Sequence, residues 1–230
     1  MSSIIQGLLT MRKLVFTFFA VLILQIHPLT GFAASAEQAV AGCVACHGDK
    51  GNSVAPIFPK LAGQNKKYLA KQLRDFKLHL RKNPTMEGLV AGIDDKTIDT
   101  IAAYYAAQQI QATPTPLPDE DEDDEDDESD SNAFSNTEEL LKTGHELYLS
   151  GNLETRVPAC SACHAPDAMG NPLAGFPSLK NQHATYLVAT LKQFREGERK
   201  NDSTGMMHMS AKRMSTAEIN AVSTYLANLK

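Results

Sequence analysis

Cysteine occurs four times in this 230-residue chain, and all four sit in two copies of one spacing. The copies are Cys43-Val44-Ala45-Cys46-His47 and Cys160-Ser161-Ala162-Cys163-His164. C-x-x-C-H is the attachment signature of c-type haem. Two thiols three positions apart can reach the two vinyl groups of one porphyrin and form thioethers. The next residue then carries its imidazole beneath the ring, where a nitrogen can bind iron. Two other chemistries use paired cysteines. A thioredoxin-like motif belongs beside a βαβ pattern, and the chain has no β-rich run. A zinc site of four cysteines would leave the histidine after each pair unexplained. The expectation is two covalently bound haems, with Cys43, Cys46, Cys160 and Cys163 as attachment points and His47 and His164 as iron ligands.

The repeat extends well beyond these motifs. Phe58-Pro59-Lys60-Leu61 matches Phe176-Pro177-Ser178-Leu179. Gln64, Tyr68, Leu69, Leu73 and Phe76 match Gln182, Tyr186, Leu187, Leu191 and Phe194, and Arg81-Lys82-Asn83 matches Arg199-Lys200-Asn201. These pairs lie 118 residues apart, against 117 for the cysteines; Ile98, Ile101 and Tyr104 match Ile219, Val222 and Tyr225 at 121. Insertions therefore fall in loops, and the chain carries two copies of one fold.

Each copy reads as helical. Apolar positions at helical spacing predict a middle helix over 66–80 and 184–196. A final helix is expected over 96–108 and 216–229, and short leading helices over 36–41 and 137–149. The Gly-, Pro- and Asn-rich segments between them read as loops. Domains this small bury little core alone, so a bound haem would form part of each core. The expected fold class is all-α, with two tandem domains at 37–112 and 135–230.

Residues 113–134 are expected to be an extended linker. A Pro-alternating stretch leads into 119–130, where every residue but Ser129 is Asp or Glu, and such blocks repel themselves open. This run holds 11 of the 27 acids, so the net charge of −5 describes the linker. Segment 37–112 has 10 basic and 7 acidic residues, formally +3, and 135–230 has 10 and 9, formally +1. No basic stripe supports nucleic-acid binding. At the N-terminus, Arg12-Lys13, an apolar run from Leu14 to Ile26 and the small residues before Ala36 read as a signal peptide over 1–36. Met11 is an alternative start. The apolar run is shorter than the ~20 residues that span a bilayer. The expected location is the periplasm, with peripheral membrane association as a further expectation.

One CxxCH, a proline a dozen residues on, a loop methionine and a C-terminal helix with an aromatic residue resemble a class I cytochrome c domain. Two such domains, each with F-P-x-L, then Gln and a tyrosine, resemble the diheme cytochrome c4 family over essentially all of 37–230 except the linker. Met86 is the only methionine after the motif in the first half, and the resemblance implies His/Met ligation. Counting back seven residues from Ile93 reaches Met86, and from its counterpart Met214 reaches Met207. Met207 is thus the expected second-half ligand, with Met206, Met209 and His208 as competitors. The resemblance also assigns Pro59 and Pro177 as the carbonyls that orient the ligand histidines. It implies a monomeric electron carrier, not an enzyme, between a quinol-oxidising complex and a terminal haem-copper oxidase. The alternatives are a haem subunit of a dehydrogenase or reductase, or a diheme enzyme such as a peroxidase or sulfur-compound dehydrogenase.

Overall fold

Side chains that can accept from the backbone set where the helices begin. A computed structural model describes residues 36–112, 137–202 and 204–229. The expected linker lies outside them, as does the expected signal peptide apart from residue 36. In the first half, α1 is the single turn Val44–His47, α2 is Lys66–Lys77, α3 is Pro84–Val90 and α4 is Asp95–Ala106. In the second half, α5 is Thr137–Ser150, α6 is Ser161–His164, α7 is Ala184–Glu196, α8 is Met206–Ala211 and α9 is Thr216–Ala227. Asn65 caps α2 by accepting from the Lys67 and Tyr68 amides, and Asp94 caps α4 by accepting from Thr97 N at 2.7 Å. Ser215 and Glu218 form a capping box on α9. Helices α3 and α8 stand where loops are expected. Pro84 occupies the first turn of α3, and Asn83 accepts from Met86 N. Both helices are too short to show a periodic signal. Among the described residues there are no strands, only two isolated bridges.

Each half buries its own apolar cluster. Val40, Leu69, Ala70, Ile98, Ile101, Ala102 and Tyr105 form the first, with α2 packed on α4. Leu147, Tyr148, Val157, Leu187, Ile219, Val222 and Leu226 belong to the second, where α9 packs on both α5 and α7. The α5–α9 crossing depends on Gly144, because a Cβ there would lie 2.1 Å from the Ala221 carbonyl oxygen.

The halves are not independent bodies. The described residues from 39 onward cluster as one compact unit. The contacts between the halves are reciprocal. The Gln64 amide donates to Ser178 O and accepts from Ser178 N, both at 2.9 Å. Its repeat mate Gln182 does the same to Lys60 O and Lys60 N, both at 2.9 Å. Asn65 Nδ2 donates to Asn171 O at 3.2 Å and Phe176 O at 3.3 Å, while its mate His183 donates through Nε2 to Ser53 O at 3.0 Å. Arg81 donates to the Tyr186 hydroxyl at 3.0 Å, and Arg199 to the Tyr68 hydroxyl at 3.1 Å. Both guanidinium groups lie over phenylalanines of their own half, Phe76 and Phe194, at 4.6 and 4.5 Å. The two repeats thus meet as the two subunits of an isologous dimer do. Lys60 breaks the symmetry. Buried, it donates through Nζ to Gln111 O and Asn181 O at 2.7 and 3.0 Å, fastening the end of the first half to the second.

Candidate haem sites

A single helical turn presents each motif. In α1, Cys43 is the N-cap and accepts from His47 N at 3.0 Å; in α6, Cys160 is the N-cap and accepts from His164 N at 2.9 Å. Both cysteines of a pair and the histidine therefore face one side of one turn. The chain then reverses through a residue with positive φ, Gly48 at 75° and Ala165 at 64°. A Cβ on Gly48 would come within 2.4 Å of Asn52 O, so the first turn is tighter than the second.

The repeated Phe-Pro places each imidazole. His47 Nδ1 donates to Pro59 O at 2.9 Å, and His164 Nδ1 donates to Pro177 O at 2.9 Å. Phe58 and Phe176 stand against the two rings at the same 6.3 Å centroid separation. Both histidines are 7% exposed. Burial, opposed by the proline carbonyl, lowers both pKa values, so the neutral imidazole is favoured. With the proton held on Nδ1, Nε2 is the nitrogen left to bind a metal. The carbonyl also fixes the ring plane and raises the basicity of Nε2.

The cysteines form no disulfide. Burial raises the Cys43 thiol and pushes Cys160 up to about 11. Activated redox cysteines have lowered pKa values, so these pairs do not resemble a thioredoxin-type centre. No cluster of three His, Cys, Asp or Glu able to hold a metal ion occurs among the described residues. The Tyr105 hydroxyl is buried, with the Cys43 thiol as its one polar neighbour in hydrogen-bond reach. A buried hydroxyl satisfied by no more than a weak thiol partner suits a site that takes up a further group. The donor set, thiols in pairs with a preoriented neutral imidazole, fits covalent haem.

Met86 lies half-buried on the first turn of α3, with its amide donating to Asn83 Oδ1 at 3.0 Å. Met207 lies half-buried on the first turn of α8, with its amide donating to Asp202 Oδ2 at 2.8 Å. Its competitors stand differently. Met206 and Met209 are 41% and 53% exposed, and His208 Nδ1 donates to Phe194 O at 2.7 Å. Met214 is in the second core, and Met169 is exposed.

Sequence reasoning missed three features. Tyr104, which the repeat matches to Tyr225, packs half-buried on the first core, while the tyrosine buried beside the first motif is its neighbour Tyr105, at 1% exposure. Sequence reasoning gave no role to His183, which is buried between the halves. It gave Asp202 no role. The repeat held the signal for the interface, since Gln64, Tyr68 and Arg81 all recur at one offset.

A cytochrome c family model matches residues 33–124 and 141–230. The chain is 43% identical over 204 residues to a cytochrome c4 of Thiocapsa roseopersicina, covering 88% of this chain and 95% of that protein. It is 37% identical over 195 residues to a protein of Stutzerimonas stutzeri named thiosulfate dehydrogenase electron acceptor, covering 84% and 82%. The crystal structure of reduced recombinant cytochrome c4 from Pseudomonas stutzeri superposes with a TM-score of 0.74 at 38% identity, covering 86% of this chain and 98% of that one.

Proposed function

The chain belongs to the cytochrome c4 family, a pair of tandem cytochrome c domains carrying two covalently bound c-type haems, and from that premise we propose how its residues serve electron transfer. Cys43 and Cys46 attach the first haem, with His47 and Met86 as axial ligands. Cys160 and Cys163 attach the second, with His164 and Met207. Each bound haem supplies a one-electron Fe(III)/Fe(II) couple. Pro59 and Pro177 orient the histidines, while α3 and α8 carry the methionines. With both axial positions filled by protein, neither site offers a substrate an open position, so the protein acts as a carrier and not as an enzyme.

The observation that supports this most is the matched construction of the two sites. Each has one imidazole fixed by a proline carbonyl and one half-buried methionine on the first turn of a short helix. The reciprocal interface holds the two sites in one unit, which suits passage of an electron from one to the other. The proposed setting is the periplasm, after removal of residues 1–36, with 37–112 and 135–230 as the working domains. No helix among the described residues is long and apolar enough to cross a membrane. The proposed donor is a quinol-oxidising complex and the acceptor a terminal haem-copper oxidase.

Spectroelectrochemical titration of the holoprotein and its Met86→Ala and Met207→Ala variants tests the ligation. Each variant should lose the Met–iron charge-transfer band of one haem, lower that haem's potential and open it to carbon monoxide. Ready carbon monoxide binding by the unaltered reduced protein, or turnover of peroxide, would contradict the carrier reading. A second reading has one observation behind it, the 37% identity to a thiosulfate dehydrogenase electron acceptor. Here the donor is a sulfur-compound dehydrogenase. Comparing reduction rates with that enzyme and with a quinol-oxidising complex separates the two.

A further inference from the structure

The two methionine loops are where the repeat slips, from an offset of 118 at Asn83/Asn201 to 121 at Met86/Met207. In the first half, the neutral side chain of Asn83 closes the loop by accepting from Met86 N. In the second half, the repeat mate Asn201 has left that task. It is buried, and its Nδ2 donates to Gln72 Oε1 at 2.9 Å and Asp75 Oδ2 at 2.5 Å, across the interface. The next residue, Asp202, takes over: its Oδ2 accepts from Met207 N at 2.8 Å and from His208 N at 3.3 Å. Its own carbonyl accepts from Gly205 N, which tightens the turn.

The charges around the loops differ accordingly. The first loop has a carboxylate too, Glu87, but its Oε1 accepts from Asn83 N and its Oε2 faces His79 Nδ1 at 2.7 Å, so it is bonded away from the Met86 amide. Asp202 forms no ion pair among the described residues. A whole negative charge is therefore bonded to the backbone of the residue proposed to bind the second iron.

We propose that Asp202 is a positioning residue for Met207 and that its carboxylate makes the second haem harder to reduce than a neutral cap would. This rests on the reading of Met207 as the axial ligand. The oxidised iron carries one more positive charge than the reduced iron, so a nearby anion favours Fe(III). At an effective dielectric of about 20, one unit charge roughly 12–25 Å from a redox centre shifts its equilibrium about threefold to tenfold, and a nearer charge shifts it more.

The test is spectroelectrochemistry of the diheme holoprotein with three variants, Asp202→Asn, Asp202→Ala and Asn83→Asp. The Met–iron charge-transfer band serves as a separate ligation readout. Asp202→Asn keeps an acceptor for Met207 N, as Asn83 does for Met86. It should preserve the band and favour reduction of the second haem by at least about threefold, leaving the first haem unchanged. Asn83→Asp should move the first haem the opposite way. Asp202→Ala should give the same shift as Asp202→Asn and also weaken the band, because the loop loses its acceptor. An intact band with unmoved potentials in Asp202→Asn and Asn83→Asp overturns the proposal. If instead Met207→Ala keeps the second haem's band, the ligand assignment fails, which is a distinct result.

Discussion

The first and second halves grip one another chiefly through matched residues and use different residues to finish their haem sites. Gln64 and Gln182 each clamp a backbone segment of the other half with two bonds of equal length. Yet the buried tyrosine beside the first motif comes from the C-terminal helix, Tyr105. Beside the second it comes from the N-terminal helix, Tyr148, whose hydroxyl donates to Ala165 O. A reciprocal interface constrains both partners at once, since one residue type must serve two mirrored positions. The tyrosine beside each motif packs within the core of its own half, where the two halves are free to diverge.

The sharpest break of this comparison is loss of one attachment pair. Cys160→Ala with Cys163→Ala should leave one haem per chain and a second half that loses its cooperative folding. Haem content per chain and thermal unfolding of the two halves would show it. If that half stayed folded without haem, its apolar cluster would be sufficient alone. Next in size is the clamp. Gln182→Ala strands the buried N–H and C=O of Lys60 and Gln64→Ala the part-buried pair of Ser178, and each should cost about 2–4 kcal/mol in denaturant unfolding of the holoprotein. Costs that differ by more than about 1 kcal/mol would show that the interface is reciprocal in form but not in energy.

A smaller effect tests the pair Asn65/His183. Burial lowers the pKa of His183, against the opposing pull of Ser53 O. Its folded value thus lies below the unfolded value of about 6.5. The unfolded chain binds more protons between the two, so this contribution is complete above about pH 6.5 and is lost as pH falls towards the folded value. His183→Asn, which copies Asn65, should remove that acid sensitivity of unfolding. A pH profile identical to that of the unaltered protein would refute the assignment. The smallest effect concerns Arg74, which pairs with Asp95 and Asp99 to tie α2 to α4. The second half makes the corresponding tie with an uncharged acceptor, Arg195 to Thr216 Oγ1 at 3.2 Å. The first tie is exposed and screened, so Arg74→Ala should cost less than about 1 kcal/mol and nothing at high salt. Arg195→Ala should show weaker salt dependence.

Much of this was legible from residue order. The two motifs, the repeat and the helical spacing lead directly to an all-α tandem fold, and α7 runs over the residues its apolar spacing marks. The short helices α3 and α8 were not legible, because six or seven residues with Gly, Pro or Met carry no clear period. Tyr105 and Tyr104 are adjacent in a helix and alike in chemistry, so only packing tells which one is buried. Asp202 was hidden because the repeat aligns Asn201 with Asn83, and Asn201 had been drawn into the interface.

Covalent chemistry depends on spacing along the chain, so the sequence alone determined where two haems attach, which imidazole follows each pair, and that the chain holds one domain twice. Whether the two domains stand apart on an acidic spacer or meet face to face depends on contacts more than a hundred residues apart. Tertiary structure decided that, by setting Gln64 against residue 178 and Gln182 against residue 60. It also decided which side chain closes each methionine loop, because a backbone N–H bonds to whichever acceptor the fold leaves beside it.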